Sequence, residues 1–172
     1  MENIKVLVNE EEIDKRTKEL ADELYKVYGD SEVAFVITLK GACPFAMKLA
    51  TYYKGDCTFE FIRVSSYQGE QSTGVITLKY PLKEENIRGK HALIIEDIVD
   101  TGYTLDYLRK YVKDLGATDV KEVTLLNKKS RRVVDIVPTY VGFEIDDLFV
   151  LGFGLDYDEK LRNLPFVGYI EK

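Results

Sequence analysis

The chain has 172 residues, 45% of them hydrophobic and 31% charged, a balance that describes one globular domain able to bury a core. Lys and Arg number 24 against 30 Asp and Glu, a net charge of −6, which argues against a protein whose main work is coating DNA or RNA backbone. One histidine, His91, and two cysteines, Cys43 and Cys57, exclude a multi-histidine metal site and a disulfide framework.

The first residues, MENIKVLVNEEE, carry no basic segment followed by an apolar run. No apolar stretch approaches the about 20 residues of a membrane span, so a cytoplasmic protein without membrane contact is expected. Ile4–Val8 reads as a strand. Asn9 then reads as an N-cap with Glu12 in the reciprocal capping position, and Gly29 suits the C-terminal stop. Ile13, Leu20, Leu24 and Val27 fall on one helical face between them.

Beyond Gly29, apolar runs and amphipathic stretches alternate. Val33–Thr38 is continuously apolar until its last residue, the mark of a strand covered on both faces. Pro44 suits the first turn of a helix over 44–53. Strands are expected over 57–64, 75–78 and 92–95, a helix over 104–115 closed by Gly116, and further strands over 120–126, 140–143 and 149–151. Strands separated by helices imply an α/β fold, a mainly parallel twisted sheet with helices on both faces. In such sheets ligands bind beyond the carboxyl ends of the strands.

That rule directs attention to Ile94-Ile95-Glu96-Asp97-Ile98-Val99-Asp100-Thr101-Gly102-Tyr103-Thr104. A buried strand runs into two adjacent acids, then a Thr/Gly loop, then a helix. Gly102 permits a tight turn, and the hydroxyls of Thr101 and Thr104 stand beside free amides at a helix start, which makes a cradle for phosphate. Glu96 and Asp97 repel phosphate and suit sugar hydroxyls or a metal instead. One loop thus offers the two chemistries of a sugar phosphate. No GxxxxGK[ST] pattern is present, and the Asp100-Thr101-Gly102 triplet leads into a helix rather than the β scaffold of an aspartic protease.

The whole segment resembles the ribose-5-phosphate signature of the type I phosphoribosyltransferases. Thr38-Leu39-Lys40-Gly41-Ala42 is similar to the pyrophosphate loop of the hypoxanthine-guanine branch. Ser65-Ser66-Tyr67 with Gln71-Ser72-Thr73-Gly74 is similar to its lid, and 141–144 with 155–157 to its purine hood. The resemblance covers nearly the entire chain. It implies one domain over 1–172, whose small hood subdomain combines the N-terminal strand with about 140–172. It also implies a homodimer or homotetramer acting on phosphoribosyl pyrophosphate and a 6-oxopurine, with no nucleic-acid partner.

By that resemblance Glu96 and Asp97 hold the ribose hydroxyls, and the amides and hydroxyls of Thr101, Gly102, Tyr103 and Thr104 hold the 5-phosphate. Asp100 is the candidate proton relay at N7 of the base, with an N-cap role as the alternative. Lys40, Gly41 and Arg162 would bind pyrophosphate, often beside a cis Leu39–Lys40 peptide, and Asp156 would bind Mg²⁺. Lys128 would donate to the oxygen at purine C6, Phe149 would stack on the ring, and Val150 would use its backbone on the ring edge. Ser66 and Tyr67 would close as a lid over the pyrophosphate. Asp158 and Glu159 receive no role, and Lys129, Arg131 and Arg132 read as a solvated, subunit-facing basic loop. A xanthine-preferring relative and a non-catalytic sensor of the same fold are the rival readings.

Overall fold

Asn9 starts the first helix in the way its sequence implies. In the computed structural model, which describes residues 3–66 and 75–170, its Oδ1 accepts from the Glu12 amide at 2.9 Å and its own amide donates to Glu12 Oε2 at 2.8 Å. This reciprocal cap satisfies two amides that a helix end leaves unpaired. The helix, α1 (Glu10–Tyr28), follows strand β1 (Ile4–Val8) and buries Ile13, Thr17, Leu20, Ala21, Leu24 and Tyr28. Val27 is 50% exposed, because the buried stripe is centred towards Ala21 and Tyr28 and leaves position 27 at its rim.

The alternation then proceeds through β2 (Val33–Thr38), α2 (Cys43–Tyr52), β3 (Cys57–Ser66), β4 (Ile76–Tyr80), β5 (His91–Val99), α3 (Tyr103–Asp114), β6 (Asp119–Asn127) and β7 (Tyr140–Glu144). Six strands form one sheet in the order β4-β3-β2-β5-β6-β7, parallel throughout except for the β3–β4 pair. All six residues of β2 are buried, as its apolar run predicts for a central strand. Phe35, Ile37, Leu93 and Ile95 pack with α1 and α2 on one face, whereas Ala34, Val36 and Ile94 pack with α3 on the other. The period-2 alternation of these strands thus builds two cores from one sheet.

Several boundaries differ from the sequence reading in one direction. β5 continues through Glu96 and Asp97 to Val99, so the two acids lie within the strand rather than in a loop after it. β3 likewise retains Ser65 and Ser66, paired with Thr77 and Ile76. Polar residues sit in these strand ends because neighbouring strands satisfy their backbones, which side-chain hydropathy does not report. Tyr67 lies outside the described residues, as does the side chain of Ser66.

A second sheet, wholly antiparallel, has the order β1-β9-β8, from β8 (Val150–Leu151) and β9 (Val167–Ile170). The sequence reading has no strand at β9 and takes 149–151 as part of the main series. Its hood begins at about 140, but β7 is an edge strand of the main sheet, parallel to β6. The change of sheet therefore falls after β7. Two residues suffice for β8 because Val150 and Leu151 are anchored by β9 and by burial, too short a run to announce its sheet by pattern.

Candidate active site

The carboxyl end of β5, the loop after it and the start of α3 form the centre of the site. Gly102 is the N-cap of α3 with φ +93°, and no side chain caps this helix. A Cβ there would lie 2.8 Å from Ile136 Cγ2, so both the backbone twist and the close packing call for glycine. The loop carbonyls are all engaged within the protein. Val99 O accepts from the Lys128 amide at 3.0 Å, Asp100 O from Arg132 Nε at 2.9 Å, Thr101 O from the Val133 and Val134 amides, and Gly102 O from Asp106 N at 3.0 Å.

A trans peptide points its C=O and the following N–H in opposite directions. Four captured carbonyls therefore aim the amides of Asp100, Thr101, Gly102 and Tyr103 the other way. Among the described residues these amides, and that of Thr104, donate to no protein group. Together with the hydroxyls of Thr101 and Thr104 they form an anion cradle on the positive end of α3. Asp100 flanks it with Oδ1 buried and unpartnered and Oδ2 3.5 Å from Arg131 Nη1. The alternative role of Asp100 as N-cap is not realised, since Gly102 takes that position.

Glu96 is buried with Oε1 unpartnered, and half-buried Asp97 accepts from the Ile98 amide at 2.8 Å. Burial, reinforced by the Asp97 charge, pushes the Glu96 carboxyl well up. Burial also pushes Asp97 up, and nearby Asp156 adds to this, whereas the Ile98 amide and Arg162 oppose it.

Asp97 leads directly to the second group of residues. A Cβ on Gly41 would fall 1.7 Å from Asp97 Oδ2, so the Lys40–Gly41 turn lies against that carboxylate with no room to spare. The Leu39–Lys40 peptide is cis. Gly154, φ +99°, crosses Gly41 so closely that its own Cβ would sit 2.0 Å from Gly41 O. Arg162 closes this corner, donating from Nη1 to Gly154 O at 2.8 Å and from Nη2 to Asp156 Oδ1 and Glu159 Oε1 at 3.1 Å each. Its Nε is buried without a partner. Lys40, Gly41, Asp97, Asp156 and Arg162, separated widely in sequence, are thus one cluster. Glu159, which received no role, is part of it: its other oxygen accepts from Lys40 Nζ. Lys40 and Arg162 hold its carboxyl below the usual range.

The third group faces the small sheet. Lys128 is 5% exposed and donates from Nζ to Leu148 O at 2.8 Å, with Asp147 Oδ1 at 3.5 Å. Phe149 is 53% exposed, which removes it from the core, and meets Tyr157 edge-on at 5.8 Å. Val150 follows it into β8 with its side chain buried.

Arg132 corrects the reading of a solvated basic loop. Half-buried, it donates to Asp100 O, Val99 O, Ile136 O and Asn127 Oδ1. Nothing in the run Lys128, Lys129, Arg131, Arg132 separates this arginine from its neighbours, because two of the acceptors it meets are backbone oxygens more than thirty residues away.

Residues 4–158 match the family model of the phosphoribosyl transferase domain. The hypoxanthine-guanine phosphoribosyltransferase of Streptococcus thermophilus is 43% identical over 169 residues, covering 98% of this chain and 93% of that protein. The enzyme of the same name from Bacillus subtilis is 43% identical over 168 residues, covering 97% and 93%. Among solved structures, a hypoxanthine phosphoribosyltransferase from Staphylococcus aureus superposes with a TM-score of 0.92 at 39% identity, covering 97% of this chain and 91% of that one. The Trypanosoma cruzi hypoxanthine phosphoribosyltransferase in complex with its product IMP gives 0.90 at 35% identity, covering 99% and 96%. Matched by the family model over most of its length and by these relatives over nearly all of it, the chain belongs to the phosphoribosyl transferase family, on its hypoxanthine-guanine branch.

Proposed function

We propose that the cradle after β5 holds the 5-phosphate of phosphoribosyl pyrophosphate while Glu96 and Asp97 hold its ribose hydroxyls. The reaction is that of purine salvage: the 5-phosphoribosyl group passes to hypoxanthine or guanine, giving IMP or GMP and pyrophosphate. One observation carries the assignment. Four carbonyls, Val99 to Gly102, are tied back so that their partner amides face outward, next to buried carboxylate oxygens of Glu96 and Asp100 that lack partners. An anion site and acceptors for hydroxyls or a proton stand side by side.

Displacement at C1 develops positive charge on the sugar and negative charge on the leaving group, so the chain's tasks are orientation, neutralisation and proton handling. Lys40, the Gly41 backbone and Arg162 receive the pyrophosphate. Asp100 accepts the proton from N7 of the purine, with Arg131 Nη1 3.5 Å from its Oδ2. Lys128 donates to the oxygen at C6, Phe149 stacks on the ring, and the Val150 backbone meets the ring edge.

The donor set fits Mg²⁺. Among the described residues no three ligating side chains converge, so the protein offers no complete cage. Magnesium needs only one or two carboxylates together with water and phosphate oxygens, which suits Asp156 at the edge of the pyrophosphate corner. When bound it supplies charge neutralisation on the leaving group.

The whole chain is read as one unit with the small sheet as its hood. Free Cys43 and Cys57 accord with a reducing compartment such as the cytoplasm. Phe59 and Phe61, 44% and 38% exposed on β3, are apolar surface that a homodimer or homotetramer would cover.

The test is nucleotide formation from phosphoribosyl pyrophosphate and each of hypoxanthine, guanine, xanthine and adenine, with and without excess chelator. Hypoxanthine and guanine are expected to react, with chelator suppressing turnover. A preference for xanthine would shift the substrate, undiminished turnover in chelator would remove magnesium, and no product from any base would favour a sensor.

A further inference from the structure

We infer that Arg132 is a positioning residue of the 5-phosphate cradle, the side chain that fixes the direction of its Thr101 amide. The inference rests on the reading of that loop as a phosphate site. Arg132 is outside the cradle, and its guanidinium meets no side chain expected to touch substrate. Its guanidinium instead gathers four oxygens from three segments: Asp100 O at 2.9 Å and Val99 O at 3.3 Å from the loop, Ile136 O, and Asn127 Oδ1 at the end of β6. Among the described residues no other donor reaches Asp100 O. The direction of the Asp100–Thr101 peptide, and hence of the Thr101 amide, therefore depends on this one side chain.

Behind the guanidinium stands a second support. Asn127 presents Oδ1 to Arg132 because its Nδ2 donates to both oxygens of Glu144, at 3.1 and 3.0 Å. A planar fork with five donors can serve several acceptors in fixed directions, whereas a lysine ammonium is a single point on a flexible stem. The Arg132 Cδ also packs over Gly102, 3.0 Å from where a Cβ would be, so the aliphatic stem holds the turn that the head group orients.

The consequence is specific to the 5-phosphate. Arg132→Lys should lower the preference for IMP over inosine, which lacks only the phosphate, by about tenfold or more. Affinity for magnesium pyrophosphate, measured by calorimetry on the same protein, should stay within about twofold, since Lys40 and Arg162 are untouched. A general loss of structure would lower all three affinities together and leave the IMP-to-inosine ratio in place, and that result would overturn the inference. If Arg132→Lys does not fold, Glu144→Ala, an exposed change that frees the Asn127 amide, must reduce the same ratio by about two- to threefold. An unchanged ratio in a folded Glu144→Ala protein would equally overturn it. Wild-type protein that binds inosine as well as IMP would overturn the phosphate-site reading itself.

Discussion

Glu159 Oε1 lies 3.1 Å from Arg162 Nη2, and the other oxygen of the same carboxylate accepts from Lys40 Nζ. A carboxylate of the chain thus stands between the two cations assigned to pyrophosphate. The geometry is that of an internal anion, which pyrophosphate bound there as proposed would have to displace. Both partners on the Lys40 side are substantially exposed, so water screens that pair and its contribution is small. Glu159→Gln should therefore tighten magnesium pyrophosphate about two- to fivefold in a calorimetric titration. Weaker binding would mean that Glu159 serves the ligand instead of competing with it.

Among the described residues, Asp100 is the only carboxylate at the cradle with a buried, unpartnered oxygen on the loop itself. Asp100→Asn keeps the shape and removes the proton acceptor. Turnover should fall by about a hundredfold or more, while KM for phosphoribosyl pyrophosphate changes by less than about threefold. Turnover close to wild type would transfer the relay to another group.

The fold was largely readable from Val33–Thr38 and from the Asn9 cap because both rest on local chemistry, a continuous apolar run and a short-range pair of hydrogen bonds. The cradle was readable for a similar reason: Gly102, Thr101 and Thr104 lie within four residues of one another. Arg132 and Glu159 were not. Their roles come from oxygens and cations brought close by the crossing of Gly154 over Gly41 and by the return of 132–136 onto the loop, contacts that no sequence window contains. Strand β9 escaped for a related reason, since Val167–Ile170 becomes a strand through pairing with β1.

Glu96 predicts a stability effect with a definite sign. Its folded-state pKa is raised by burial and by Asp97, so between the unfolded value and the folded one the native state holds a proton that the unfolded chain has lost. Stability therefore declines as pH rises through that window, and the penalty persists at neutral pH. Asp97, displaced in the same direction, adds to the decline, with Arg162 opposing and Asp156 reinforcing it. Glu96→Gln should raise the midpoint of thermal unfolding at pH 7.5 by about 2–4 °C or more and flatten its fall with pH, at the expense of ribose binding. A lower midpoint at neutral pH would show that the carboxylate is stabilised when charged.

Lys128, the residue proposed to meet the purine C6 oxygen, is also tied into the fold. Its ammonium has three donors and no acceptor, and one donor is occupied by Leu148 O at 2.8 Å. The Asp147 carboxylate lies 3.5 Å from the same ammonium. What remains can serve an oxygen at purine C6 but meets only repulsion from the amino group of adenine, which also donates. A glutamine at 128 keeps a donor for Leu148 O while offering an acceptor of its own. Lys128→Gln should accordingly narrow the ratio of kcat/KM for hypoxanthine over adenine by at least about tenfold, chiefly through a poorer reaction with hypoxanthine. The IMP-to-inosine preference set by the phosphate cradle should remain, because the Lys128 contact with Val99 O runs through its backbone amide and survives the substitution. A retained base preference would move specificity away from Lys128 and onto the backbone at Val150.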